Sequence, residues 1–197
     1  MHRSGGAATG EGAGVGGAMA IIVMGPSSIG KTTTAGHLAE ALGWPYAEGD
    51  TFHPAANIAK MSQGIPLNDD DRAPWLEKIR AYIDDEAAAG RNVIITCSAL
   101  KRRYRDTLRQ AKADVRFVEL IADRSLVAER MARRTGHFMP PSLLNSQFDT
   151  LEDLGDGENG VKITVDVSPE EVAARAIEGL GLGDRVRGKV AGAAAGA

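Results

Sequence analysis

The sequence predicts an α/β fold in which a parallel sheet carries helices on both faces. Three observations lead there. Apolar runs of strand length alternate about five times with segments of helical spacing, the pattern of strands joined by crossover helices. One run, Asn92-Val93-Ile94-Ile95-Thr96-Cys97, is apolar throughout its middle and suits the centre of such a sheet. Another, Ala20-Ile21-Ile22-Val23-Met24, leads into Gly25-Pro26-Ser27-Ser28-Ile29-Gly30-Lys31-Thr32 and then into a helix-compatible run from Thr33 to Leu42.

That loop reads G-x-x-x-x-G-K-T, a P-loop, with the strand before it and the helix after it that a P-loop requires. The glycines let the backbone bend so that successive N–H groups converge on one phosphate. The helix N-terminus adds partial positive charge at the same point. Gly25, Ser27, Ser28, Ile29, Gly30, Lys31, Thr32 and Thr33 are therefore the candidate nucleotide-binding residues. Lys31 can reach the β- and γ-phosphates of a nucleoside triphosphate, and the Thr32 hydroxyl can ligate Mg2+. A glycine-rich turn that binds nothing is the plainer reading of such a loop, and its flanks count against it.

The bulk properties exclude several classes. At 197 residues the chain is long enough for one domain with a sizeable core, and 43% hydrophobic with 25% charged residues is ordinary for a soluble protein. A net charge of −3 offers no basic field for nucleic acid. The single cysteine, Cys97, rules out an internal disulfide and fits a reducing compartment, so a cytoplasmic location is expected. No apolar run approaches a membrane span, and the N-terminus lacks the hydrophobic segment of a secretory signal. Residues 1–18 and 183–197 are rich in Gly and Ala; a disordered tail and a flexible tail are expected around one domain at 19–182.

After the P-loop helix, Gly43 breaks the pattern and Pro45-Tyr46-Ala47-Glu48 reads as a short strand ending in Gly49-Asp50-Thr51-Phe52-His53-Pro54. Ligands of open α/β sheets collect at the carboxyl ends of strands, which draws attention to Glu48, Asp50 and His53. Asp50 and His53 could instead serve only to cap the next helix. A short helix is expected over 57–64, then the acidic run Asn68-Asp69-Asp70-Asp71 beside Arg72. An arginine fork suits a carboxylate substrate; a surface ion pair is the plainer role for Arg72.

Apolar residues at Trp75, Leu76, Ile79, Tyr82 and Ile83 predict a helix over 75–89. The strand ending at Cys97 runs into Ser98-Ala99-Leu100-Lys101-Arg102-Arg103-Tyr104-Arg105, a group of cations on the following helix. Ordinary helix surface charge would account for it equally. Val115 to Ile121 is a further strand. Arg130, Arg133 and Arg134 end a helix from Ser125, before Gly136-His137-Phe138-Met139-Pro140-Pro141. Arginines beside such punctuation suggest a mobile lid over about 130–141, or simply a charged helix end. A helix from Ser142 to Leu151, an acidic loop (153–160), an alternating edge strand at Val161, Ile163 and Val165, and a helix capped by Ser168-Pro169-Glu170-Glu171 complete the chain.

Taken together, G-x-x-x-x-G-K-T (25–32), GDTFHP (49–54), KMSQGIPLNDDDRAPWL (60–76), CSALKRRYRDTLR (97–109), GHF (136–138) and SQFDTLE (146–152) closely resemble the bacterial-type gluconokinases, small P-loop kinases related in fold to shikimate kinase. The likeness runs in order from about residue 20 to 181. It implies a P-loop kinase fold, a five-stranded parallel sheet with a lid. It also implies ATP-dependent phosphorylation of D-gluconate at its terminal hydroxyl, and a homodimer.

By the same resemblance, Arg72 takes the gluconate carboxylate or its neighbouring hydroxyls. Asp50 orients the attacking hydroxyl and accepts its proton. His53, Ser98, Lys101, Arg105 and His137 belong to the substrate pocket. Glu48 holds Mg2+ through water beside Thr32, and Arg130 and Arg133 stabilise the transferring phosphoryl group alongside Lys31. Two departures stand out. Glu48 occupies a position where many relatives have Asp. Leu154 and an acidic loop follow where relatives often turn at a proline, which leaves the adenine-side contacts near 152–160 open. A shikimate-type or nucleotide kinase on the same scaffold, or a regulatory nucleotide-binding module, are the alternative readings.

Overall fold

The computed structural model describes residues 17–133 and 142–187. Strand β1 (Met19–Met24) is buried along its whole length. It is flanked by β3 (Val93–Cys97), likewise buried throughout, and β4 (Asp114–Ile121). Strands β2 (Tyr46–Glu48) and β5 (Gly160–Thr164) form the edges, giving the order β2-β3-β1-β4-β5 with every neighbouring pair parallel. The five-stranded parallel sheet is thus as expected.

Alternation along β1 builds the two cores. Met19, Ile21 and Val23 pack with helices α1 (Lys31–Leu42), α5 (Arg124–Arg133), α6 (Ser142–Thr150) and α7 (Pro169–Gly179) on one face. Ala20, Ile22 and Met24 pack with α3 (Asp69–Ala88) and α4 (Arg102–Leu108) on the other. The remaining helix, α2 (Ala55–Ser62), contributes Met61 to a small cluster with Leu67 and Leu143.

Helix α3 begins six residues earlier than the apolar periodicity suggests. Asn68 caps it: its side chain accepts from the Asp71 amide at 2.8 Å, while the Asp71 carboxylate accepts from the Asn68 amide at 3.0 Å. The acids at 69–71 sit in the first turn, where the helix dipole favours them. Pro74 lies inside the helix and still does not end it. Similarly, α2 starts at Ala55 rather than Asn57, directly after Pro54.

Residues 183–187, counted with the tail on sequence, form a short 3-10 turn (Gly183–Arg185) and tie back to α1, where the Arg187 amide donates to Ala41 O at 2.8 Å. Of the expected lid, Arg130 to Arg133 belong to α5, whereas 134–141, with Arg134 and His137, lie outside the described residues, as do most of the two Gly/Ala-rich ends. No described helix is long and apolar enough to cross a membrane.

Candidate active site

The carboxyl ends of the strands carry the site, as open α/β sheets favour. Leaving β1, the chain turns at Gly25 (φ 137°), Ser28 (φ 63°) and Gly30 (φ 116°) before α1 starts at Lys31. These positive φ angles curl the loop, and at Gly30 only a residue without Cβ adopts that angle easily. The Lys31 ammonium donates to Gly25 O at 3.0 Å and Pro26 O at 2.7 Å. Thr32 and Thr33 are exposed at the start of α1. The Gly25 amide donates to Ser98 O at 3.2 Å, fastening the loop to the residue that follows β3.

A cleft of about 790 Å³ opens over this loop. Residues 27–34 form its floor; Glu48, Asp50, Thr96, Arg130 and Arg133 line it, with an apolar wall of Val165, Val167, Pro169 and Val172. The residues expected for phosphate, metal and proton transfer therefore meet in one place. Arg130 also donates to Ile29 O at 3.2 Å.

Glu48 reaches the cleft from the end of β2, where it pairs in register with Thr96 of β3. The Thr96 hydroxyl donates to Glu48 Oε2 at 2.5 Å and accepts from the Gly49 amide at 3.3 Å. The indole of Trp75 donates to Gly49 O at 2.8 Å. A Cβ at Gly49 would stand 2.1 Å from Thr96 O, so the turn that leaves β2 passes this close to β3 only because the residue is glycine. Glu48 Oε1 is buried without a hydrogen-bond partner. A buried carboxylate oxygen left over in a cleft is chemically suited to a hydrated cation. Among the described residues no group of three or more His, Cys, Asp or Glu could hold a metal by itself. A donor set this sparse would suit an ion such as Mg2+ that takes its other ligands from phosphates and water.

Beside Asp50 stands a second group. His53 stacks on Trp75 with ring centroids 4.2 Å apart and planes 14° from parallel. Burial pushes its pKa down from 6.5 to about 4, against the attraction of Asp50 and with the repulsion of Arg72. Asn57 Nδ2 donates to His53 Nδ1 at 3.3 Å and to Asp71 O at 2.8 Å. The neutral imidazole thus carries its proton on Nε2. Arg72 donates to Leu67 O at 2.5 Å and to the Tyr104 hydroxyl at 3.3 Å, with its guanidinium 5.5 Å from that ring's centre. The Tyr104 hydroxyl donates in turn to Asp69. That bond, followed by the one from Lys101, holds the Asp69 carboxyl below its ordinary range.

Lys101 is paired with Asp69 at 3.1 Å, so in this conformation its ammonium joins α4 to the start of α3 beside Arg72. Ser98 is half-buried at the end of β3. Arg105 stands elsewhere than expected. It is 0% exposed and forms a two-point pair with Glu158, Nε to Oε1 at 2.5 Å and Nη2 to Oε2 at 2.9 Å. It also donates to Ala99 O at 3.0 Å and Glu152 O at 2.9 Å. With its donors engaged, Arg105 fastens the 152–158 loop to α4 and cannot touch a substrate. Sequence alone does not distinguish the two roles, because a cation one turn into a helix fits either.

Three contributions escape the sequence reading. Thr96 hides as one polar residue in an apolar strand. Val165 and Val167 look like the continuation of an edge strand, yet β5 stops at Thr164 and they turn onto the cleft. Their wall, rather than the 152–160 loop, supplies the apolar surface beside the P-loop. The third is Gln147 of α6, whose Oε1 accepts from the Ser27 amide at 2.7 Å. The thiol of Cys97 is buried, which pushes it up to about 12 and leaves it unreactive.

Similarity to known proteins agrees with this geometry. The AAA domain family matches residues 21–153. A gluconokinase of Gluconobacter oxydans is 47% identical over 152 residues, covering 77% of this chain and 85% of that protein. The crystal structure of a gluconokinase from Sinorhizobium meliloti is 46% identical, with a TM-score of 0.74 over 84% of this chain and 93% of that one. An unliganded sugar kinase from Janibacter sp. is 45% identical, with a TM-score of 0.81 over 84% and 96% of the two chains. A P-loop cleft with paired acids, set on this sheet and shared with relatives of such identity over most of their length, means that the chain belongs to the gluconokinase family of P-loop kinases.

Proposed function

We propose that the chain transfers the γ-phosphoryl group of ATP to the terminal hydroxyl of D-gluconate, giving 6-phospho-D-gluconate and ADP. The observation that carries this reading is the meeting of the P-loop, Glu48 and Asp50 in one cleft, with His53 close enough to feel the charges of both Asp50 and Arg72. A regulatory nucleotide-binding module has no use for that second group.

The roles follow from chemistry. The triphosphate lies along the P-loop amides, and the adenine rests on the wall of Val165, Val167, Pro169 and Val172. Lys31 leaves the carbonyls of Gly25 and Pro26 for the β- and γ-phosphates. Arg72 takes the carboxylate of gluconate in a two-point bond, Nε2–H of His53 donates to a substrate hydroxyl, and Ser98 and Lys101 complete the pocket. Asp50 orients the terminal hydroxyl and accepts its proton as that oxygen bonds to the γ-phosphorus and the bond to the ADP oxygen breaks. Arg130 and Arg133 neutralise the charge on the moving group. Mg2+, held by Thr32 and through water by Glu48, would supply further neutralisation of the phosphates. Closure of 130–141 over ATP, with His137 reaching the substrate, belongs to the same proposal, as do a homodimer and a cytoplasmic location.

A coupled ADP-release assay tests the reading. Gluconate should be turned over, and shikimate and nucleoside monophosphates should not. Turnover of either of the latter alone would place the chain's activity with the alternative kinases, and no turnover of any acceptor would favour a binding module.

A further inference from the structure

We infer that Gln147 is a positioning residue for the phosphate loop, an assignment that rests on the ATP-dependent kinase reading above. Its carboxamide oxygen accepts from the Ser27 amide at 2.7 Å, across 120 residues of chain. Ser27 is the third residue of the P-loop and is 7% exposed, so water is a poor substitute partner. The next residue, Ser28, has φ 63°, an angle that a side-chain-bearing residue seldom adopts, and its Oγ is buried without a partner. The apex of the loop therefore holds a backbone angle that is seldom populated unaided. Something outside must hold it.

Helix α6 is built to do so. Leu143 and Leu144 are buried, and Phe148 packs on the main core, so the helix is a rigid support for the residue between them. Arg124 of α5 is tied to it by the pair with Asp149 at 2.8 Å. Helix α5 grips the same loop two residues further on, through Arg130 and Ile29 O. The two grips differ in chemistry. Arg130 is a cation that an incoming phosphate can attract away from a carbonyl. Gln147 holds the amide through a neutral carbonyl oxygen, which has no charge for an incoming phosphate to draw away.

The choice of an amide over an acid has a reason. A glutamate would satisfy the Ser27 N–H equally well, but it would set a negative charge beside the β- and γ-phosphates. Glutamine is the acceptor of that length without that charge.

Two variants of the full chain test this. Gln147→Met keeps length and volume and removes the acceptor. Gln147→Glu keeps the acceptor and adds charge. ADP binding by calorimetry, with no gluconate present, should weaken about tenfold in Gln147→Met, equivalent to about 1.4 kcal/mol. kcat/KM for ATP should fall by at least as much, while KM for gluconate stays within about twofold. Gln147→Glu should bind ADP poorly at about pH 8 and recover toward wild type at about pH 5.5 as the carboxylate takes up its proton. If Gln147→Met fails to fold, that pH dependence decides alone.

ADP affinity unchanged in both variants, with a lower melting temperature only, would make Gln147 a structural residue and overturn the assignment. So would a change confined to KM for gluconate. A wild-type protein that fails to phosphorylate gluconate would defeat the acceptor assignment and leave the ADP measurements standing, so the two failures are distinguishable.

Discussion

Arg105 offers the sharpest test of what the fold does with a cation that sequence alone assigns to the substrate. Replace it with methionine, which fills much of the same volume. The Glu158 carboxylate then stays wholly buried, with both of its guanidinium bonds gone and the Gly155 amide, at 2.9 Å, as its main remaining donor. Breaking one side of a buried pair costs about 3–5 kcal/mol, because the other charge is left uncompensated. Against a total stability of about 5–15 kcal/mol for a domain of this kind, that is a large fraction. The carbonyls of Ala99 and Glu152 lose a donor as well. The double variant Arg105→Met/Glu158→Met removes the orphaned charge and should recover about 2 kcal/mol of the loss, since a buried pair adds little beyond an apolar replacement. Urea unfolding monitored by the two tryptophans measures all three proteins. Kinetics at low temperature, where the single variant is still folded, should show KM for gluconate unchanged. A single variant within about 1 kcal/mol of wild type, with a raised KM for gluconate, would return Arg105 to the substrate.

Three other outcomes are expected. Arg72→Lys should raise KM for gluconate more than KM for ATP, since lysine cannot make two parallel bonds to a carboxylate; an equal rise in both would place Arg72 elsewhere. His53 has a folded pKa of about 4 against an ordinary 6.5, so between these values the unfolded chain binds a proton that the folded chain does not. The part of the stability that comes from burying the neutral ring should be lost as pH drops through that window. His53→Gln should lose less over the same range in urea unfolding, and identical slopes would contradict the burial of a neutral ring. Gly49→Ala places a methyl 2.1 Å from Thr96 O, so the strands must part, at a cost of at least about 1–3 kcal/mol and with Glu48 displaced from the cleft; a wild-type melting temperature would contradict this.

The sheet is readable in the sequence because its strands are short apolar runs bounded by turn residues, and β1 and β3 are buried on both faces. The P-loop is readable because its chemistry demands a local pattern. Asp50, Glu48, Arg130 and Arg133 line one cleft, since strand ends and helix ends in this fold converge there. What the sequence hides is long-range partnership. Arg105 is a buried anchor because Glu158, 53 residues later, folds back onto it. Lys101 meets Asp69 across 32 residues, and Gln147 meets Ser27 across 120. No local pattern encodes such pairings. The early start of α3 is a different case. Asn68 and Asp71 spell a capping box, but the apolar periodicity that begins at Trp75 draws the eye past it.

Direct phosphoryl transfer from ATP to gluconate, in the cleft that Lys31 and Asp50 line, is the reaction to be measured. Phosphorus NMR of the full chain with ATP, Mg2+ and gluconate measures it without a coupling enzyme. Loss of the γ-phosphate signal should be matched by a single new phosphomonoester on gluconate. In Lys31→Ala that conversion should be slowed by about 10²–10³, the usual loss for one electrostatic donor. Appearance of inorganic phosphate with no phosphomonoester, or an undiminished rate in Lys31→Ala, would contradict direct transfer in this cleft.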